Sequence, residues 1–317
     1  MRHISIVLNK CLSGNYSKKA NLILQIIQQL QKIKFKEDRL EFMFFPDFIE
    51  VYGIKDYDIS IKAFEQITQF TSCEFAVRPF IIKYQDKMIE EMKKWSKHNY
   101  STVRRLASEG CRPRLPWAMA IPMLKADPTP ILPILENLKN DPSEYVRRSV
   151  ANNLNDISKD NPKTVINIAK KWLGKTRETD KLVKHACRTL LKQGNQELMP
   201  LFGFGSIDKI NITYFKIITP KVKLGAFLEF KLNNLSNLSS KIRLEYGLYY
   251  QKANSTLSKK VFKISEKEYS KNSTTSINRK QPFKIITTRK FHLGKHQLSI
   301  IINGKEFEIL DFELIKN

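Results

Sequence analysis

The chain has 317 residues, 42% of them hydrophobic, which is enough to bury the cores of two domains and excludes a disordered polymer. Its formal net charge of +24, from 55 Lys and Arg against 31 Asp and Glu, points to a polyanionic partner. Four cysteines (Cys11, Cys73, Cys111 and Cys187), none in a CxxC pair, argue against a zinc site or disulfide framework and for a reducing, cytosolic compartment. The N-terminal apolar run is too short for a signal peptide, and no stretch reaches the roughly 18 apolar residues of a membrane span.

Up to about residue 200 the apolar period is helical. NLILQIIQQLQKI (21–33), IKAFEQITQF (61–70) and IIKYQDKMIEEMKKW (81–95) each fit an amphipathic helix. NYSTVRRLASEG (99–110), DPSEYVRRSVANNL (141–154) and TDKLVKHACRTLLKQG (179–194) repeat one design: Val, two basic or Lys-His residues, then small and apolar residues. Their valines, Val103, Val146 and Val183, are offset by 43 and 37 residues, the period of HEAT-like helix pairs that stack into a curved solenoid. EFAVRPFI (74–81) reads as an earlier, degenerate copy. Gly110 is placed to end its helix as a C′ glycine, and DPSE (141–144) reads as an Asp cap with Pro and Glu in the first turn. DNP (160–162) separates the next helix.

After LFGFGS (201–206) the pattern changes to alternation and β-branched residues, in 210–218, 226–232, 242–250, 259–264, 283–288 and 296–310. Asn303-Gly304 between two alternating runs marks a hairpin. Six or seven such strands predict an immunoglobulin-like sandwich without a disulfide. The expected architecture is multidomain: an all-α HEAT-like solenoid over 1–203, then an all-β immunoglobulin-like sandwich over 207–317.

Lysine excess can follow from a biased genome, so the placement of arginines says more. On a helical wheel, Val146, Val150, Leu154 and Ile157 share one face, while Arg148, Ser149, Asn152, Asn155 and Asp156 lie opposite. Val103, Leu106 and Ala107 oppose Arg105 and Glu109. Val183, Ala186, Cys187 and Leu190 oppose His185, Arg188, Thr189 and Lys192. Arg105, Arg148 and Arg188 therefore line one predicted concave face suited to phosphates. A carboxylate on such a face is repelled by the ligand, which singles out Glu109 and Asp156. Plainer readings stand beside these: Arg105–Glu109 as a simple i,i+4 ion pair, Asp156 as a solvated turn residue, Trp117 as a packing residue. The residues alone support a basic α-solenoid plus β-sandwich that binds nucleic acid.

Taken together, EFAVRPF, VRRLASEGCRPRLPW, DPSEYVRRSVANNLNDISKDNP and LVKHACRTLLKQG resemble the AlkC branch of the DNA alkylation repair glycosylases, over roughly residues 70–200. The basic β-rich tail is also similar to the immunoglobulin-like domain that this branch can carry. The resemblance implies excision of N3-alkylated bases, chiefly 3-methyladenine and 3-methylcytosine, from duplex DNA, without swinging the lesion into a deep pocket. It implies Glu74, Glu109, Trp117 and Asp156 as active-site positions, with Arg105, Arg112 and Arg148 holding the DNA backbone nearby; Arg114, Asn152, Lys184 and Arg188 complete the expected DNA-binding set. No metal or organic cofactor, membrane or obligate protein partner is expected, and the working unit is a monomer. The +12 carried by residues 206–317 suggests an electrostatic clamp, with Lys259, Lys260, Arg279, Lys280, Arg289 and Lys290 as candidates. The competing readings are a non-enzymatic nucleic-acid-binding solenoid and a protein-binding helical scaffold; a metal-dependent nuclease is disfavoured, because the carboxylates are scattered among basic residues.

Overall fold

The computed structural model describes every residue except 34–38, 208–209, 237–238, 285–289 and 317, and divides into two compact units, Met1–Thr189 and Leu190–Asn317. The described residues form α1 (Arg2–Cys11), α2 (Tyr16–Lys32), α3 (Phe44–Gly53), α4 (Tyr57–Ile67), α5 (Arg78–Tyr84), α6 (Asp86–Trp95), α7 (Ser101–Gly110), α8 (Pro122–Ala126), α9 (Leu132–Leu138), α10 (Glu144–Ile157), α11 (Pro162–Trp172), α12 (Arg177–Ala186) and α13 (Arg188–Lys192). No described helix is long and apolar enough to cross a membrane.

The repeat seen in the sequence is a packing repeat: α10 packs against both α7 and α12. Val103, Val146 and Val183 are all buried in that stack. Burying one such side chain contributes about 1.5–3 kcal/mol, so the three sites are strong determinants of the stack. A second seam is polar. Ser149 Oγ lies 3.0 Å from Ser108 Oγ, and Asn153 Nδ2 donates to Ser108 O (2.8 Å), fixing the register of α10 on α7. Proline at the start of α11 sets that boundary as the DNP signal predicts.

Four local expectations change. The run 81–95 is two helices, because Gln85 takes φ 41° and breaks it between α5 and α6. Gly110 is the last residue of α7 rather than a left-handed C′ cap; a Cβ there would meet Val77 Cγ2 at 2.7 Å, so closeness of packing is what requires glycine. α10 begins at Glu144, not at the Asp141 cap. Asp141 accepts from Ser143 N–H (2.9 Å), and its carboxylate is gripped by Arg104 Nε and Nη2 at 2.6 and 3.0 Å. Finally, Ser149, Asn155 and Asp156 are buried rather than solvated; each finds a polar partner on a neighbouring segment.

The second unit holds β1 (Ile210–Ile217), β2 (Lys221–Lys223), β3 (Phe227–Ser236), β4 (Ser240–Gln251), β5 (Leu257–Tyr269), β6 (Ser273–Pro282), β7 (Gly294–Ile302) and β8 (Lys305–Ile315). They form two sheets, ordered β1-β3-β6 and β2-β8-β7-β4-β5. Alternate residues (Leu228, Phe230 and Leu232 on β3; Ile242, Leu244, Tyr246 and Leu248 on β4) fill one core between them. Asn303 and Gly304 both have positive φ (45° and 79°) and close the β7–β8 hairpin at the predicted place. The expected strand over 283–288 falls mostly outside the described residues. β6 is a polar strand with little apolar alternation, so its sequence carries no strand signal.

Candidate active site

Three carboxylates and three cations from α7, α10 and the segments around them form one ladder. Arg105 on α7 donates from Nη1 to Glu74 Oε2 at 2.6 Å, and Ser72 Oγ donates to the same oxygen at 2.5 Å. Arg105 Nη2 lies 3.8 Å from Glu109 Oε1, one turn along α7. Glu109 is bound more closely by Arg112 Nη1, at 2.6 Å. Arg112 in turn places Nε and Nη2 each 2.8 Å from Asp156 Oδ2 on α10, and Lys159 Nζ lies 3.0 Å from Asp156 Oδ1. Asp156 is 2% exposed and Glu109 4%, while Lys159 keeps 40% of its side-chain surface. Burial would lower both arginines; the facing carboxylates outweigh it and hold Arg105 and Arg112 above their ordinary value. The Arg105 guanidinium also lies over the Tyr145 ring, 4.4 Å from its centroid.

The segment after α7 displays the indole. Ala118 N–H donates to Leu115 O (3.3 Å), closing a four-residue turn over 115–118. Pro116 occupies its second position and Trp117 its third, with φ 62°. A positive φ at that position marks a type II turn, where glycine is usual. A bulky residue held there costs about 1–3 kcal/mol, and Trp117 recovers nothing by packing: it is 100% exposed. The packing reading of Trp117 is thus overturned.

Ile121 N–H donates to Pro113 O (3.2 Å) and closes the larger loop. Beneath it lies Arg78, which is fully buried. Its Nε donates to Met119 O (2.7 Å), and its Nη1 donates to Gly110 O (3.0 Å) and Arg112 O (2.8 Å). Burial pulls this guanidinium down to about 10.

The remaining expected DNA-binding residues lie outside the ladder. Arg114 makes a two-pronged pair with Asp160 (2.7 and 2.6 Å). Arg148 pairs with Glu144 at 2.8 Å on an exposed surface. His185 Nε2 lies 3.0 Å from Asn152 Oδ1, and Arg188 Nη1 donates to His185 O (2.9 Å); burial lowers both His185 and Arg188. Lys184 is exposed beside His185 on α12. Arg148 and His185 border a cleft of about 260 Å³ between α10 and α12, which contains none of Glu74, Glu109, Trp117 or Asp156. Asn155 serves the fold, its Oδ1 accepting from Thr189 N–H and Oγ1–H. Sequence reasoning missed Arg78, Tyr145, Lys159 and Asp160. Only Arg78 left a signal, an arginine inside an apolar run just before a proline.

A family model described as a DNA alkylation repair enzyme matches residues 54–190, and one described as the C-terminal Ig-like domain of uncharacterised protein YhaZ matches residues 211–316. Uncharacterized protein YhaZ of Bacillus subtilis (strain 168) is 48% identical over 270 residues, covering 85% of this chain and 76% of the relative. The structure of Pseudomonas fluorescens alkylpurine DNA glycosylase AlkC, bound to DNA containing an abasic site analog, is similar with a TM-score of 0.89 at 32% identity. That likeness covers 96% of this chain and 84% of the other. The chain belongs to the DNA alkylation repair enzyme family. The family match takes in every rung of the ladder and the whole Trp117 loop, and it begins earlier than the resemblance read from residues 70–200. The Ig-like match likewise covers β2–β8 entirely and nearly all of β1.

Proposed function

We propose that this chain is a DNA glycosylase that hydrolyses the N-glycosidic bond of cationic N3-alkylated bases, 3-methyladenine and 3-methylcytosine, in duplex DNA. The carrying observation is the ladder of Glu74, Glu109 and Asp156 interleaved with arginines, next to a fully exposed tryptophan held in a strained turn. Phosphate binding needs the cations but gives no reason for the carboxylates. Departure of a cation does. As the C1′–N bond breaks, its electron pair leaves with the base, which becomes neutral, and the positive charge moves to the deoxyribose. Asp156, supported by Glu109, stabilises that charge and takes a proton from the water that adds at C1′. The Trp117 indole favours the cationic lesion by about 0.5–2 kcal/mol. Lys159, the exposed cation on Asp156, can turn to a phosphate and uncover Oδ1.

The reading that the base is not drawn into a deep pocket is supported by Trp117, which stands fully exposed rather than lining a cavity. Residues 1–203 carry this chemistry and 207–317 act as the clamp, with the single chain, water and DNA sufficient for the reaction. Lys259 and Lys280 lie on β5 and β6, where they pair with Glu306 (2.7 Å) and Glu229 (2.6 Å). Lys260 and Arg279 also lie on those strands and Lys290 is exposed, whereas Arg289 is outside the described residues.

A second reading has one observation behind it. All three carboxylates are already ion-paired, as they would be in a purely structural ladder of a DNA-binding solenoid. Excision from a duplex holding one 3-methyladenine or 3-methylcytosine separates the two. Release of the free base supports the glycosylase; tight, salt-sensitive binding without release supports the binding solenoid.

A further inference from the structure

We propose that Arg78 is a positioning residue for the site, holding the segment that carries Arg112 and Trp117 in its working shape; the catalytic consequence rests on the glycosylase reading above. A buried arginine normally has a carboxylate partner. Among the described residues Arg78 has none: its hydrogen bonds go to the main-chain oxygens of Gly110, Arg112 and Met119. These carbonyls flank the excursion 112–119. One planar guanidinium therefore ties the end of α7, the backbone of Arg112 and the far side of the loop to the first residue of α5. The approach is close on both sides, since Val77, next to Arg78, leaves no room for a Cβ on Gly110. The remaining Nη2 has no partner among the described residues. An arginine is thus kept although one of its donors is unused, because only the fork reaches carbonyls from both Nε and Nη1. A lysine presents a single nitrogen and cannot reproduce that geometry.

The fork accounts for two features of the site. Arg112 must bridge Glu109 and Asp156, whose helices meet only across α7 and α10, and its main-chain oxygen is the one Arg78 holds. Trp117 sits at positive φ without side-chain packing, so something else must keep the turn from relaxing; Met119 O, two residues on, is bound by Arg78 Nε.

The test uses the full chain with 5-fluorotryptophan in place of tryptophan, and the variants Arg78→Lys and Arg78→Gln. Trp95 and Trp172 are buried and donate to Glu65 and Glu136, so their fluorine resonances report on the fold, while that of Trp117 reports on the loop. In Arg78→Lys the Trp117 resonance alone should move and broaden. Single-turnover excision should fall about 10- to 100-fold, as for a misplacement of about 1 Å, with affinity for abasic-site duplex within about threefold of wild type. An unmoved Trp117 resonance with excision within about twofold of wild type overturns the proposal. So does a shift of all three resonances together, the mark of a merely structural residue. Should neither variant fold, hydrogen exchange of the wild type decides: the Ala118 and Ile121 amides are expected to be protected, and exchange at free-peptide rates overturns the proposal. If wild type excises nothing, the glycosylase reading fails, and the resonance and exchange measurements still decide whether Arg78 holds the loop.

Discussion

Replacing Asp156 by Asn removes one charge while keeping the shape of the side chain. The ladder then changes from three carboxylates facing three cations to two facing three, which on the proposed glycosylase reading leaves an extra positive charge beside the sugar that becomes positive. At about 4–5 Å and an effective dielectric near 20, losing one carboxylate costs the transition state roughly 3–4 kcal/mol, or about 10²–10³ in rate. Stability should fall less than the ~3–5 kcal/mol of a fully broken buried pair, because Arg112 keeps Glu109 at 2.6 Å and the amide oxygen still accepts one bond. Binding to undamaged or abasic duplex should be unchanged or slightly tighter, since a negative charge has left the buried layer beneath the proposed phosphate-binding face. The assay is single-turnover base release from a 3-methyladenine duplex, with affinity and urea midpoint measured on the same preparation. A folded Asp156→Asn that releases base within about threefold of wild type would refute the role of this carboxylate.

Other measurements address other parts of the molecule. Trp117→Gly should relieve the positive-φ strain and keep or raise the urea midpoint while lowering excision of cationic lesions about 3- to 30-fold, the range expected for a single indole; a drop in stability would contradict the strained-turn reading. Changing Lys260, Arg279 and Lys290 to Gln should weaken duplex binding and reduce the slope of log affinity against log salt by about 1 for each phosphate no longer neutralised; an unchanged slope argues against the clamp. His296 is fully buried among Tyr250, Phe283 and Phe312, with Nδ1 accepting from Gln251 N–H (3.3 Å) and Nε2 lying 2.9 Å from His292 O. Burial holds it below its ordinary 6.5. The unfolded chain therefore takes up this proton first as pH falls, so the stability contributed is present above about 6.5 and is lost on acidification. The urea midpoint read from β7 amide resonances should drop between about pH 7.5 and pH 5.5, and His296→Phe should flatten that drop.

Much of this molecule is written in short-range pattern. The change from helical period to alternation locates the helical and β halves, because both periods are properties of a few consecutive residues. Asn303-Gly304 determines a hairpin by its own tolerance of positive φ. Val103, Val146 and Val183 disclose the repeat, since each must bury the same face of the same kind of helix. The motifs also pick out Glu74, Glu109 and Asp156, and the structure joins all three in one ladder. What the sequence leaves open is which partner each polar residue meets. Arg105–Glu109 looks like a local ion pair, yet Arg105 binds Glu74 more closely, and Glu109 turns to Arg112. Asp156 looks like a solvated turn residue and is instead buried against Arg112, 44 positions away. Trp117 looks like a core residue and stands fully exposed. Arg78 shows in the sequence only as an arginine inside an apolar run before a proline, and its three carbonyl partners lie 32, 34 and 41 positions away. These outcomes depend on the register of α7 against α10, set by Ser108, Ser149 and Asn153, and on how α5 meets the end of α7. Periodicity along one segment carries no information about that register. Only the packing of separate segments creates the low-dielectric surroundings in which one choice of ion pair prevails over another.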